Sequence, residues 1–509
     1  MNPSESTITA LLETGDAGAA ALGGPGARAL TFGELRSLVS QTVEALAARG
    51  IGPNDRVALV LDNGPEMAVA FLSVASGATA APLNPGYRAE EFEFYLTDLK
   101  PKLLVVAQGK SSPAIDVAAK LGISVSRLVA QPERAAGTFV LEFADQPAKR
   151  GGTSRPATPD AEALVLHTSG TTSRPKIVPL LQRNLVASAQ NIRATLGLSA
   201  ADRGLCIMPL FHIHGLMAGL LAPLSAGGEV CCAPGFNALK FFSWMAEARP
   251  TWYSGVPTMH QAILTRAGHN AEIIKANPLR FVRSSSSALP TRVIAELESV
   301  FGAPVIESYG MTEASHQMTS NPLPPEPRKP GTVGPGGGPE VRVVDERGNP
   351  VSPGTPGEIV IRGPSVMRGY ENNPTANAEA FVQGWFRTGD QGAMDADGYV
   401  TITGRLKEII IRGGEKISPR EVDEIIMTHP AVHQCVTFAL PHEMLGEEVA
   451  AAVVLRQGAE ASDKELRQFA AVRLADFKVP RKILILQEIP VGATGKLQRI
   501  GLAKKLGLA

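Results

Sequence analysis

The run Thr168-Ser-Gly-Thr-Thr-Ser-Arg-Pro-Lys176 sets five hydroxyls, one glycine and two cations within nine residues. Ahead of it, Ala163-Leu-Val-Leu166 is an unbroken apolar stretch that predicts a buried strand. Behind it, from Asn184, the residues Leu185, Val186, Ser188, Ala189 and Ile192 recur with helical spacing. The expected order is strand, polar loop, helix. Hydroxyls and free backbone N–H groups donate to phosphate oxygens, Gly170 lets the backbone approach closely, and Lys176 supplies a point charge. With Thr168, Ser169, Gly170, Thr171, Thr172 and Lys176 as its binding groups, such a loop suits a polyphosphate. A flexible Ser/Thr linker is the competing reading, but linkers seldom follow a buried strand directly or end in Arg-Pro-Lys. The spacing Gly-x4-Gly-Lys-Ser/Thr is absent, so this is not the common nucleotide P-loop.

Working outward, Arg56–Leu61 predicts a strand, Pro65–Ser76 a helix and Ala80–Asn84 a return strand, a βαβ rhythm. Strand-like runs recur at Lys102–Val106, Glu229–Ala233 and Thr251–Ser254 with apolar helical stretches between them. The fold class is therefore α/β, with parallel sheets covered by helices. Residues 321–339 are dense in Pro and Gly, and the shorter runs Val341–Val344 and Glu358–Arg362 that follow predict a β-rich subdomain. Beyond Gly404-Arg405, a helix at Pro419–Met427, a strand at Val449–Leu455 and a helix at Asp463–Leu474 predict a separate α+β domain of roughly 100 residues. The expected division is 1–404 and 405–509.

A chain of 509 residues exceeds what one hydrophobic core serves, and 44% apolar residues suffice for large cores. Lys and Arg number 49 against 49 Asp and Glu, a balance that argues against nucleic acid or a polybasic membrane surface and favours a small-molecule partner. Cys206, Cys231, Cys232 and Cys435 show no CxxC spacing, so neither a zinc site nor a disulfide framework is indicated and a reducing cytoplasm fits. There is no basic leader, no stretch near the length of an apolar membrane span, and the final Leu-Gly-Leu-Ala is not a peroxisomal signal.

Four further runs follow the loop: Tyr309-Gly-Met-Thr-Glu313, Gly384-Trp-Phe-Arg-Thr-Gly-Asp390, Gly404-Arg-Leu-Lys-Glu408 leading to Arg412-Gly-Gly-Glu-Lys-Ile-Ser-Pro419, and Gly492-Ala-Thr-Gly-Lys496. In this order, over nearly the whole chain, they resemble the adenylate-forming superfamily of acyl-CoA synthetases, carrier-protein adenylation domains and luciferases. The resemblance implies that a carboxylate attacks the α-phosphate of ATP to give an acyl-adenylate and pyrophosphate, and that a thiol then displaces AMP. Attack on so anionic a nucleotide requires cations around the α-phosphate. Accordingly the resemblance assigns Glu313 to ordering Mg2+, Thr312 to binding phosphate through its hydroxyl, Ser308 to the nucleotide, Tyr309 to stacking on adenine, Asp390 to the ribose hydroxyls and Arg405 to the same nucleotide. Lys496 matches the catalytic lysine that bridges acyl carboxylate and α-phosphate, and Lys407 the hinge about which Lys496 is exchanged for the Gly413-Gly414 loop, where pantetheine passes. Read singly, Glu313 is also a surface carboxylate, Thr-Gly-Asp390 a turn, Tyr309 a core aromatic and Lys496 a solvated tail lysine. The five runs together favour the functional reading, and the presence of both Glu313 and Lys496 weighs against a non-enzymatic nucleotide scaffold.

With no carrier domain downstream, the chain most resembles a free-standing CoA ligase. Acid choice is expected in Pro209-Leu-Phe-His-Ile-His214, Arg283-Ser-Ser-Ser-Ser-Ala288 and Glu313-Ala-Ser-His-Gln-Met318. Relatives acting on aromatic or fatty acids commonly carry apolar or small residues in these segments; here imidazoles and hydroxyls replace them. An apolar acyl chain would leave those groups unsatisfied at roughly 1 to 3 kcal/mol each, whereas a second carboxylate satisfies several at once. The segments also resemble the oxalyl-CoA synthetases, which implies oxalate, with His316, Ser287 and His214 or His212 on its distal carboxylate. Either histidine could instead be a satisfied core residue, and His212 matches a position at the mouth of the acyl and pantetheine tunnels. Other acids (medium-chain fatty, malonate or 4-coumarate-like) and a non-CoA adenylate-forming activity are the alternatives.

Overall fold

The computed structural model describes residues 6–143, 157–168, 175–490 and 497–508. Backbone packing divides the chain into two compact units, one comprising Met1–Thr168, Pro175–Glu340 and Arg362–Glu379, the other including Val341–Ile361 and Ala380–Ala509. The second unit thus takes in the small sheet before residue 404 as well as everything after it, a division that differs from 404/405. That small sheet joins neither of the large sheets of the first unit.

The first unit carries two large sheets. One has seven strands in the order Phe139–Phe143, Ser124–Ala130, Leu103–Ala107, Arg56–Val60, Thr79–Pro82, Glu162–His167, Ile177–Leu181. Its five inner strands run parallel and its two outer strands antiparallel. The other has eight, in the order His316–Ser320, Val305–Met311, Phe281–Ser284, Trp252–Gly255, Arg203–Cys206, Glu229–Cys232, Ala20–Gly24, Ala27–Thr31, again parallel inside and antiparallel at both edges. Continuous apolar runs fit strands buried on both faces. Helices such as Pro65–Gly77 supply the cover, buried along most of its length from Met67 to Gly77. The α/β class with helix-covered parallel sheets expected from sequence is the observed one, with antiparallel edges added.

One local expectation fails. The loop after Glu162–His167 leads into a second strand, Ile177–Leu181, which returns antiparallel with His167 opposite Ile177 and Val165 opposite Pro179. Only then does the helix Gln182–Thr195 begin, with Asn184 Oδ1 accepting from the Leu181 N–H at 2.9 Å. The loop therefore joins a hairpin and is not a strand-to-helix turn. The β-branched pair Ile177-Val178 favours the strand, and Pro179, which lacks an N–H, is tolerated because this is the outermost strand.

In the second unit, Trp385–Met394 pairs antiparallel with Gly357–Arg362, Phe381–Val382 and Val400–Arg405. A further sheet of Glu415–Ile417, Ile410–Arg412, Gly446–Leu455, Val432–His442 and Lys482–Leu486 packs a core of Ile410, Ile417, Val422, Ile426, Val449, Leu466 and Ile483. Its helix Pro419–Met427 starts where Ser418 caps and Pro419 fills the first turn. No helix among the described residues is long and apolar enough to cross a membrane.

Candidate active site

In the first unit the expected site residues follow the carboxyl ends of parallel strands, the usual place for ligands in such sheets. Thr168 follows Glu162–His167, His212 and His214 follow Arg203–Cys206, Ser287 follows Phe281–Ser284, and Thr312 with Glu313 follows Val305–Met311. The base of the loop between Thr168 and Lys176 is closed twice: Thr168 N–H donates to the Lys176 carbonyl at 2.9 Å, and Lys176 N–H to Thr168 Oγ1 at 3.1 Å. Ser169, Gly170, Thr171 and Thr172 lie outside the described residues, as does Lys496. The Lys176 ammonium sits 4.3 Å from the centroid of the Tyr370 ring, and the Tyr370 hydroxyl donates to Glu313 Oε1 at 2.9 Å.

Ser308 and Tyr309 lie on the strand Val305–Met311, and Thr312 and Glu313 on the short 3-10 turn that ends it. Ser308 is buried, its carbonyl accepting from Ser285 Oγ at 2.9 Å, while Tyr309 is half-buried. Ser315 and His316 then take positive φ, +52° and +95°, which swings the chain back as the edge strand His316–Ser320. Left-handed backbone at two non-glycine residues is strained, by about 1 to 3 kcal/mol each. The turn is held by Ser315 Oγ donating to the Ser365 carbonyl (2.8 Å) and Ser188 Oγ donating to the Ser315 carbonyl (2.5 Å). Gly310 is required here, since a Cβ on it would lie 1.9 Å from the His316 carbonyl oxygen.

The turn delivers His316 against His214, the two rings stacked with centroids 4.7 Å apart and planes at 21°. Behind them lies Arg283, with no solvent exposure. Its Nη1 donates to His214 Nε2 and Ser254 Oγ, both at 3.3 Å, and its Nη2 to His316 Nε2 at 3.2 Å and Gln317 Oε1 at 3.3 Å. A guanidinium only donates, so both Nε2 atoms accept. On His214 this leaves Nδ1 facing Ser286 Oγ at 3.1 Å. Among the described residues no carboxylate pairs with Arg283, its Nε has no hydrogen-bond partner, and burial pulls the guanidinium down to about 9. A buried, uncompensated cation edged by imidazoles, hydroxyls and an amide is a setting for an anion.

Sequence reading therefore found two members of this cluster, His214 and His316, and missed Arg283, Ser254, Ser286 and Gln317. Ser287 is exposed, and the serine that meets His214 is its neighbour Ser286. His212 is half-buried with its ring 4.6 Å from that of Phe211. Arg283 stood in the quoted serine run; the signal was a charge inside Phe281-Val-Arg-Ser284, an inner strand of a parallel sheet.

In the second unit Asp390 and Arg405 face each other across antiparallel strands, Nε to Oδ1 at 3.0 Å, and Asp390 N–H donates to Thr388 Oγ1 at 3.1 Å. The buried Asp390 carboxylate is thus held by Arg405, the residue expected to share its ligand. Lys407 is exposed in the single 3-10 turn Leu406–Glu408. Gly413 and Gly414 make the exposed hairpin turn between Ile410–Arg412 and Glu415–Ile417 with φ of +57° and +92°.

Comparison with known proteins adds the family. Residues 12–371 match the AMP-binding enzyme family and residues 421–496 the AMP-binding enzyme C-terminal domain. An oxalate–CoA ligase of Arabidopsis thaliana is 46% identical over 476 residues, 92% of each chain, and one of Saccharomyces cerevisiae is 42% identical over 474 residues, 87% of this chain and 86% of that one. The crystal structure of ATP-bound MatB from Rhodopseudomonas palustris superposes with a TM-score of 0.87 at 31% identity, covering 98% of both chains. Matched along both its large N-terminal part and its C-terminal part, the chain belongs to the AMP-binding enzyme family.

Proposed function

We propose that this protein is an ATP-dependent, AMP-forming acid–CoA ligase whose acid is oxalate, made into oxalyl-AMP with release of pyrophosphate and then transferred to CoA. The observation that carries the acid is the Arg283 cluster. A fully buried guanidinium with only imidazole, hydroxyl and amide partners leaves one positive charge to be balanced, and the distal carboxylate of a small dicarboxylate balances it. His214 and His316 stand in front of that charge as the contacting groups. An apolar acyl chain against the same groups would leave that charge unbalanced.

The proximal carboxylate is the nucleophile at the α-phosphate. Thr168, Ser169, Gly170, Thr171, Thr172 and Lys176 hold the β- and γ-phosphates, Ser308, Tyr309 and Thr312 the nucleotide, and Asp390 with Arg405 the ribose side. Lys496 supplies the positive charge that offsets repulsion between the two anions as they meet. Glu313 fits a magnesium ion: it is a single buried carboxylate oriented by Tyr370, and no group of three or more His, Cys, Asp or Glu gathers among the described residues. Magnesium uses one or two carboxylates and takes its remaining oxygens from phosphate and water, and here it would neutralise phosphate charge. After adenylation, turning about Lys407, at the 404/405 boundary, would withdraw Lys496 and bring in Gly413-Gly414 for the thiol, with His212 at the tunnel mouth. The four buried, free cysteines fit a reducing, cytoplasmic setting.

An acid panel in a CoA-dependent, AMP-forming assay tests the proposal. Oxalate is expected to be turned over well above malonate, octanoate and coumarate; strong turnover of octanoate or coumarate with none of oxalate removes the substrate assignment.

A further inference from the structure

The charge on Arg283 survives because its four acceptors, His214 Nε2, Ser254 Oγ, His316 Nε2 and Gln317 Oε1, are all neutral. Gln317 is the one whose place a carboxylate could take at the same side-chain length, since Glu differs from Gln only by an oxygen for the amide nitrogen. The surroundings of residue 317 decide between the two.

Gln317 lies on the edge strand His316–Ser320 with no solvent exposure. Its amide nitrogen donates to the Gly337 carbonyl at 2.9 Å and to Thr195 Oγ1 at 3.0 Å. Thr195 Oγ1 is itself committed as a donor, to the Ile192 carbonyl at 3.1 Å, so toward the amide it accepts. Both hydrogens of the nitrogen are therefore used, and the oxygen is left for Arg283 Nη2 at 3.3 Å. Turned over, the amide would set its nitrogen against a guanidinium and its oxygen against a carbonyl, donor against donor and acceptor against acceptor. Gly337, whose N–H donates to the Met318 carbonyl at 2.8 Å, comes so near that a Cβ on it would lie 3.0 Å from Gln317 Nε2. A glutamate here would keep the Arg283 contact as an ion pair, but its second oxygen would meet the Gly337 carbonyl with no hydrogen between them. The site thus favours the uncharged member of the pair.

We propose that Gln317 is a specificity-determining residue that acts through Arg283 and not on the acid itself: an amide locked by Gly337 and Thr195 fills the place of a carboxylate counter-ion and leaves the guanidinium charge to the distal carboxylate of the substrate. The inference rests on the proposed role of Arg283 toward that carboxylate. A carboxylate in direct contact with the guanidinium would cancel its field for one held beyond the imidazoles, because Coulomb attraction falls with distance.

The test is kcat/KM for oxalate and for butyrate by pyrophosphate release, on the full-length protein, with thermal melting to confirm folding. Gln317→Glu adds the charge, and Gln317→Met removes the amide without adding one. Gln317→Glu is expected to lower oxalate kcat/KM about a hundredfold and to leave butyrate within about threefold. Gln317→Met breaks the same hydrogen bonds to Gly337 and Thr195 and is expected to keep the oxalate-to-butyrate ratio within about threefold of the parent. Ser254→Asp brings a carboxylate to the other guanidinium nitrogen and is expected to reproduce the selective loss, so the charge effect is read even where Gln317→Glu does not fold. A ratio that falls as far in Gln317→Met as in the charged variants gives Gln317 a structural role only and overturns the proposal. Folded charged variants that keep oxalate kcat/KM within about threefold overturn it too. Arg283→Met separates the two levels. If it keeps oxalate turnover, the role of Arg283 fails and the inference with it; if it loses oxalate selectively while the charged variants do not, only the inference about Gln317 fails.

Discussion

Replacing Arg283 with methionine separates substrate recognition from stability. A carboxylate contacting the imidazoles on the side away from Arg283 would lie about 6 Å from the guanidinium, and at an effective dielectric of about 20 that attraction would be about 3 kcal/mol. Its loss corresponds to roughly a hundredfold in kcat/KM for oxalate. The effect on folding has the opposite sign. The four contacts of Arg283 are long, 3.2 to 3.3 Å, its Nε is unbonded, and its charge is wholly desolvated, so an apolar side chain of similar length is neutral or stabilising. The expected result is an unchanged or raised melting temperature, a hundredfold fall in oxalate-dependent pyrophosphate release, and no fall for a monocarboxylate such as butyrate, measured side by side. A folded Arg283→Met protein that keeps oxalate kcat/KM within threefold, or that loses oxalate and butyrate in parallel, refutes the reasoning.

Other outcomes follow from single positions. Lys407→Pro should leave pyrophosphate release largely intact and suppress thioester formation; equal loss of both half-reactions contradicts alternation about this residue. His260 is fully buried, and burial lowers it from 6.5 to about 4. Between those values the unfolded chain takes up a proton that the folded one refuses, so stability falls as pH falls, by about 1.4 kcal/mol per unit and about 3 kcal/mol in all. Urea unfolding at pH 7 and pH 5 should show that slope in the parent and a flatter one in His260→Gln. Gly310→Ala puts a Cβ against the His316 carbonyl and should cost more than about 3 kcal/mol by urea unfolding or displace His316, the latter read as lost oxalate selectivity over butyrate.

The chain by itself specified what depends on local composition. The runs read as the strand at Lys102–Val106 and the helix at Pro419–Met427 are found as Leu103–Ala107 and Pro419–Met427, because local pattern and propensity agree there with the fold. The order of the five motifs likewise carried the family. Between the loop and the helix the sequence reading passed over a strand: Ile177–Leu181 forms one despite Pro179, because a sheet edge has room for a residue without an N–H. The proposed acid site lay further out of reach. Arg283, Ser254, His214 and His316 come from separate segments that meet only because neighbouring strands of one sheet end together and two strained residues turn the chain back. Sequence supplied the imidazoles and hydroxyls; tertiary structure alone decided that a cation would be buried against them with no carboxylate to pair it among the described residues, since desolvation and charge balance are properties of surroundings and not of residues.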